Sequence, residues 1–181
     1  MRLSADVRGA QARTDGVGND SAETAYGRAW LGLSLERPIG RVRLVARSSI
    51  AGVTGSDLPP QEFVYLGGPT TAPGYDFHEL VGRFGASQRV EARLPIPFLA
   101  FSLGRYGNTG GTATLAPFAH TAYVARVAPS HRGERAAGWY PSAGIGLLTV
   151  FDLLRFDVAK GFRDGRWSFS VDVIRDFWSI L

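Results

Sequence analysis

Arg89-Val90-Glu91-Ala92-Arg93-Leu94 carries a charge at every second residue and an apolar side chain between each. A helix would scatter these charges around its axis. A β-strand, whose side chains point alternately to opposite faces, collects them on one side and leaves Val90, Ala92 and Leu94 on the other. The same alternation recurs along the chain. Leu3, Ala5 and Val7 alternate with Arg2, Ser4, Asp6 and Arg8; Ala29, Leu31, Leu33 and Leu35 oppose Arg28, Gly32, Ser34 and Glu36. Val42, Leu44 and Ala46 oppose Arg41, Arg43 and Arg47, and residues 112–127 carry Phe118, His120, Tyr123 and Val124. Residues 139–151 are glycine-rich, with Gly144 and Gly146 on one face. Leu154, Phe156 and Val158 alternate with Arg155, Asp157 and Ala159, and Trp167, Phe169, Val171 and Val173 with Ser168, Ser170 and Asp172. Eight strands are predicted, in an all-β protein.

The 181 residues fit one domain, and 45% are hydrophobic. No apolar run approaches the roughly 18 residues that a membrane helix needs. That composition suits a soluble β protein and equally a β-barrel, whose apolar residues occupy alternate positions. The net charge of +4 rests on arginine, because Lys160 is the only lysine. No basic block or nucleic-acid motif accompanies it, so a nucleic-acid partner is not expected. Without cysteine there is neither a disulfide framework nor a thiolate metal site.

Alternation alone does not separate a sandwich whose outer face meets water from a membrane wall. Two features favour the wall. Aromatic residues gather near strand ends (Phe98, Phe101, Trp139, Tyr140, Trp167, Phe177 and Trp178), as in the interface girdles of membrane barrels. Connections also alternate in length: short at 37–40, 95–97 and 152–153, long at 9–24, 54–84 and 128–137, with 99–111 as the exception. The expected fold is an antiparallel transmembrane β-barrel.

Between the third and fourth of these strands lies Leu66-Gly67-Gly68-Pro69-Thr70-Thr71-Ala72-Pro73-Gly74-Tyr75. This Leu-Gly-Gly turn with a downstream Gly-Tyr resembles the inserted loop of the bacterial surface-antigen superfamily, the outer-membrane assembly and translocation barrels. Three further elements follow in the order those barrels have. Glu91-Ala92-Arg93-Leu94-Pro95-Ile96 is similar to their Glu-x-Arg-x-Pro strand, and Ala143-Gly144-Ile145-Gly146-Leu147 with Leu154-Arg155-Phe156-Asp157-Val158-Ala159 to their paired penultimate strands. An aromatic-rich strand then closes the chain. The resemblance covers about residues 60–181.

The resemblance implies that the whole chain is the C-terminal half of a sixteen-stranded barrel in the bacterial outer membrane, with the segment at about 54–84 folded into its lumen. It implies a role in outer-membrane protein insertion or in polypeptide translocation, in company with the lipid bilayer, unfolded or secreted polypeptides, an N-terminal barrel half and periplasmic modules. Insertases, two-partner secretion transporters and barrels that carry a lipase domain all fall within it. Met1-Arg2-Leu3 enters alternation directly, without the apolar core of a signal peptide, and the chain reads as a fragment of a longer precursor. The alternatives are a small stand-alone eight-stranded barrel, adhesive or structural, and a soluble eight-stranded binding module.

The loop motif is Leu66, Gly67, Gly68, Pro73, Gly74 and Tyr75; the wall expected to face it is Glu91, Arg93, His120, Gly144, Gly146, Arg155 and Asp157. In the resembling family a tip arginine pairs with an aspartate on a neighbouring strand. Here Pro73 stands at the arginine position and His120 at the aspartate position, so both partners are replaced together. Tyr75 is expected to rest on the glycine-bearing strand with its hydroxyl on a luminal arginine or carboxylate.

Catalysis is not expected. His78, His120 and His131 lack metal-ligand spacing, no Gly-x-Ser-x-Gly elbow exists, and no serine–histidine pair can be assigned. Glu91 and Asp157, crowded by Arg89, Arg93 and Arg155, stay ionised and build ion pairs, poor material for a general acid. No metal or cofactor is expected.

Overall fold

The computed structural model describes residues 2–15, 21–55, 58, 60–100, 102, 104–108, 110–125 and 137–173, with backbone alone through residue 25. Eight strands form one antiparallel sheet in chain order: β1 (Arg2–Asp15), β2 (Ser21–Ile39), β3 (Val42–Gly55), β6 (Phe84–Pro97), β7 (Thr112–Ala125), β8 (Gly138–Thr149), β9 (Leu154–Gly161) and β10 (Trp167–Val173). A separate small hairpin, β4 (Val64–Leu66) with β5 (Leu80–Gly82), lies between β3 and β6. The sheet is open: among the described residues β1 and β10 each have one strand neighbour. The protein is therefore all-β and antiparallel, and the sheet does not close into a barrel among the described residues.

Several boundaries differ from the sequence expectation. The connection expected at 9–24 is mostly strand, because β1 and β2 pair from Arg2↔Ser34 up to Asp15↔Ser21. Backbone pairing needs no apolar side chain, so a tall hairpin continues where the alternation fades. Pro95-Ile96-Pro97 is not a turn but the end of β6, paired with β7 through Pro97↔Thr112. Beyond Arg93 no residue of β6 has a partner in β3, so along that side the prolines interrupt no ladder. The expected exception at 99–111 is a connection, closed by Phe98 N–H donating to Gly111 O at 2.9 Å.

Register carries the facial pattern across the sheet. Val45 pairs with Glu91, Glu91 with Phe118, Phe118 with Gly144, and Gly144 with Ala159. Because paired residues share a face, one face collects Arg43, Val45, Arg47, Ser87, Arg89, Glu91, Arg93, His120, Ser142, Arg155 and Asp157. The other collects Leu31, Leu44, Ile50, Val90, Ile145, Val158, Phe169 and Val171. Burial runs opposite to the usual soluble arrangement. The charged face is covered, with Glu91 2% and Asp157 4% exposed, whereas Val90 is 49%, Ile145 45% and Phe169 68% exposed.

Candidate functional site

The cover over the charged face is the segment 60–83. After a 3-10 turn at Pro60–Glu62 its hairpin places Val64 and Leu66 against Gly85 of β6, and Gly82 against Val124 of β7. A single helical turn, α1 (Gly68–Thr71), follows β4, closed by the Thr71 hydroxyl donating to Gly67 O at 2.8 Å. Val64, Leu66, Ala72, Tyr75 and Leu80 from this segment join Ala51, Ala122, Val124 and Tyr140 of the sheet in one apolar cluster. Burial of that cluster attaches the segment to the sheet without any charge.

Beneath it Glu91 is the hub of a buried ion network. Arg93 Nε donates to Glu91 Oε1 at 2.6 Å and Arg155 Nη2 to Oε2 at 2.6 Å, while Arg89 Nε donates to Oε2 at 3.1 Å. Asp157 accepts from Arg155 Nε at 2.8 Å and from Arg89 Nη2 at 3.1 Å. Three guanidiniums meet two carboxylates across β6 and β9, a geometry possible because Gly146, opposite Asp157, leaves room for the Arg155 head. Arg89 also lies over the Phe118 ring, 3.7 Å from its centroid, and donates to Pro69 O of the segment at 3.3 Å. The network thus holds the helical turn as well as itself.

The tip rests elsewhere, on the last hairpin. Gly74 N–H donates to Ser168 Oγ at 2.9 Å. The Tyr75 hydroxyl donates to Pro141 O at 2.9 Å and accepts the Arg163 N–H at 3.3 Å. Its ring meets Tyr140 edge-on at 5.3 Å, and Arg163 covers the far side of Tyr140 at 4.4 Å. Arg166, in the β9–β10 turn, pairs with Asp76 and, at 3.7 Å, with Glu79.

The structure brings Glu91, Arg93, Arg155 and Asp157 together and sets Leu66, Gly68, Pro73 and Tyr75 in the buried cover. Other placements depart from expectation. Tyr140, expected among the interface aromatics, is fully buried, because even-numbered residues of β8 face the covered side. Trp139 and Trp167 are on the exposed side; Phe101, Phe177 and Trp178 lie outside the described residues. The Tyr75 hydroxyl bonds backbone groups of Pro141 and Arg163. Gly144 and Gly146 make room for the Phe118 ring and the Arg155–Asp157 pair and not for the segment; the glycine that receives the tip is Gly161. Phe118, Tyr140, Gly161, Arg163 and Ser168 were not singled out from sequence as site residues, whereas Arg89 was expected in the ion network and is found there. For Gly161 and Ser168 a signal existed, since both fall on the polar side of the alternation, Gly161 in the strand beside the glycine-bearing one and Ser168 in the next.

A serine–histidine pair does exist: Ser87 Oγ and His120 Nε2 are 2.9 Å apart. Among the described residues no carboxylate bonds His120 Nδ1, the group that would orient the ring of a catalytic base. Among the described residues no group of three acidic, histidine or cysteine side chains could hold a metal ion. No family model matches the chain, and no curated protein sequence matches it.

Proposed function

We propose that the chain is the wall of a bacterial outer-membrane β-barrel that takes part in inserting or translocating polypeptides, with the segment 60–83 in its luminal loop. One observation carries the membrane part: the two faces of the sheet are inverted, with the ion network covered and the aliphatic face bare. In water an exposed face of Leu, Ile, Val and Phe side chains far exceeds the scattered apolar residues that a soluble surface bears. In lipid the same face is the favourable one, and the charged face lines the interior. Phe84, Tyr123 and Trp139 stand side by side at the loop end of that face, with ring centroids 6.4 and 4.9 Å apart, where a bilayer interface would receive them. The bare face also argues against the soluble binding module. The polypeptide-handling part rests on the resemblance of four ordered motifs and on a loop laid over the polar face.

The membrane part is tested by alkaline carbonate extraction of the expressed chain. Retention in the membrane pellet is expected, and recovery as a monodisperse species without detergent would overturn it. For the second part, an unfolded outer-membrane protein is offered to liposomes that contain the chain. Faster folding than with empty liposomes is expected; an unchanged rate would remove the polypeptide-handling role and leave the wall.

A further inference from the structure

Gly74 and Tyr75 are closely fitted against β8, β9, β10 and the turn between the last two. Gly74 has φ 92°, and a Cβ there would lie 2.5 Å from Gly161 N and 2.9 Å from Gly161 Cα. Gly161 is equally constrained, since its own Cβ would stand 2.7 Å from Gly74 O and 3.0 Å from Tyr75 Cζ. Two backbones therefore touch, which only glycine on both sides permits. The next position is read by a different set of groups. A flat ring slides edge-on to Tyr140, and its hydroxyl meets one acceptor, Pro141 O, and one donor, Arg163 N–H. Ser168 Oγ accepts the glycine N–H. All of these partners belong to β8, β9, β10 and the turn between the last two, and none to the segment that fills the recess.

We propose that this recess is a peptide-binding site for a Gly-Tyr step in an extended polypeptide, and that the chain's own loop occupies it in cis as a competitor. The proposal rests on the reading of the chain as a polypeptide-handling barrel and names the feature of the polypeptide that it would recognise. Cis occupation follows from tethering: a loop joined at both ends holds its tip at an effective concentration near the millimolar range, so a free peptide binds only when the tip is weakened. A side chain in place of Gly74 meets backbone that cannot move aside, so Gly74→Ala with Tyr75→Ala empties the recess and leaves its walls intact.

The experiment uses the full chain in detergent micelles and a fluorescent peptide with the sequence of residues 70–79, Thr-Thr-Ala-Pro-Gly-Tyr-Asp-Phe-His-Glu. The G74A/Y75A chain is expected to bind it at least about tenfold more tightly than the wild type, by removal of the cis competitor. Adding Gly161→Ala should abolish binding, as should replacing the peptide's tyrosine by alanine. Equal binding of the tyrosine and alanine peptides, or no binding by a G74A/Y75A chain that keeps its β circular dichroism, would overturn the proposal. If that variant does not fold, the folded wild type carrying an inserted protease site after the exposed Phe77 is cut instead. Cleavage should then admit the peptide, and continued exclusion from the cut chain would count against the site. The liposome folding assay of the wild-type chain reports on the polypeptide-handling reading independently, so loss of one does not imply loss of the other.

Discussion

Glu91 accepts from three guanidiniums and Asp157 from two, so each carboxylate is worth more to its neighbours than to itself. Removing the charge at the hub leaves Arg89, Arg93 and Arg155 with one carboxylate among them, on a face from which water is largely excluded. Glu91→Gln is expected to lower stability by about 3 to 5 kcal/mol, the usual consequence of breaking a buried pair from one side. The urea midpoint of the micelle-folded chain measures it, and a shift below a third of that would mean the network is solvated. A second residue-scale effect has the opposite sign. Val150, Phe151 and Asp152, between β8 and β9, all take positive φ, at 51°, 60° and 64°. The left-handed conformation costs a non-glycine residue about 1 to 2 kcal/mol, and a β-branched one most. Val150→Gly is therefore expected to raise the same midpoint, and a fall would show that Val150 makes a contact that outweighs the relief.

At the scale of elements, the loop and the terminal hairpin behave as two parts of one clasp. Its bonds are unequal. Arg166 with Asp76 is an exposed pair, 45% and 73% open, and such pairs contribute about 0 to 1 kcal/mol. The Tyr75 hydroxyl is inside: Tyr75→Phe removes the acceptor of the Arg163 N–H and one of two donors to Pro141 O, which Phe162 N–H still reaches at 3.0 Å, at about 1 to 3 kcal/mol. Native-state proteolysis within 76–83 should accelerate more in Tyr75→Phe than in Arg166→Ala, and only the smaller Arg166 contribution should fade in high salt. The reverse order would make the clasp electrostatic. Much of this was legible beforehand: the alternation in Arg89 to Leu94 marks the covered face of β6, and Gly74-Tyr75 marks the tip. The receiving surface was not, because Tyr140, Pro141, Gly161 and Ser168 come together only through β8–β9–β10 register. The helical turn at Gly68–Thr71 was also hidden, since four residues with a proline carry no periodicity. The heights of β1 and β2 escaped for the complementary reason, that ladder bonds extend past the apolar pattern.

For the whole molecule the inverted faces and the open edges make a joint demand. An antiparallel sheet immersed in lipid cannot leave a row of backbone N–H and C=O groups unpaired, because no water is present to satisfy them. β1 and β10 are each free on one side among the described residues, so the wall reading requires partner strands along both edges. It also fixes which substitutions hurt. Leu31, Leu33, Leu94, Phe156 and Val171 lie on the bare face; Ser34 and Ser170 share the face of the ion network through the pairs Ser34↔Arg47 and Ser170↔Asp157. Arginine at any of the first group near mid-bilayer is expected to cost about 2 to 4 kcal/mol, because a guanidinium would enter hydrocarbon. Arginine at Ser34 or Ser170 enters a surface that already hosts arginines, and the cost should be far smaller. A sheet dissolved in water would give the opposite ranking, since its bare face is solvated and its covered face is close-packed. Urea midpoints of the seven variants, refolded into lipid vesicles, distinguish the two: equal or inverted sensitivity would mean that the aliphatic face does not meet lipid.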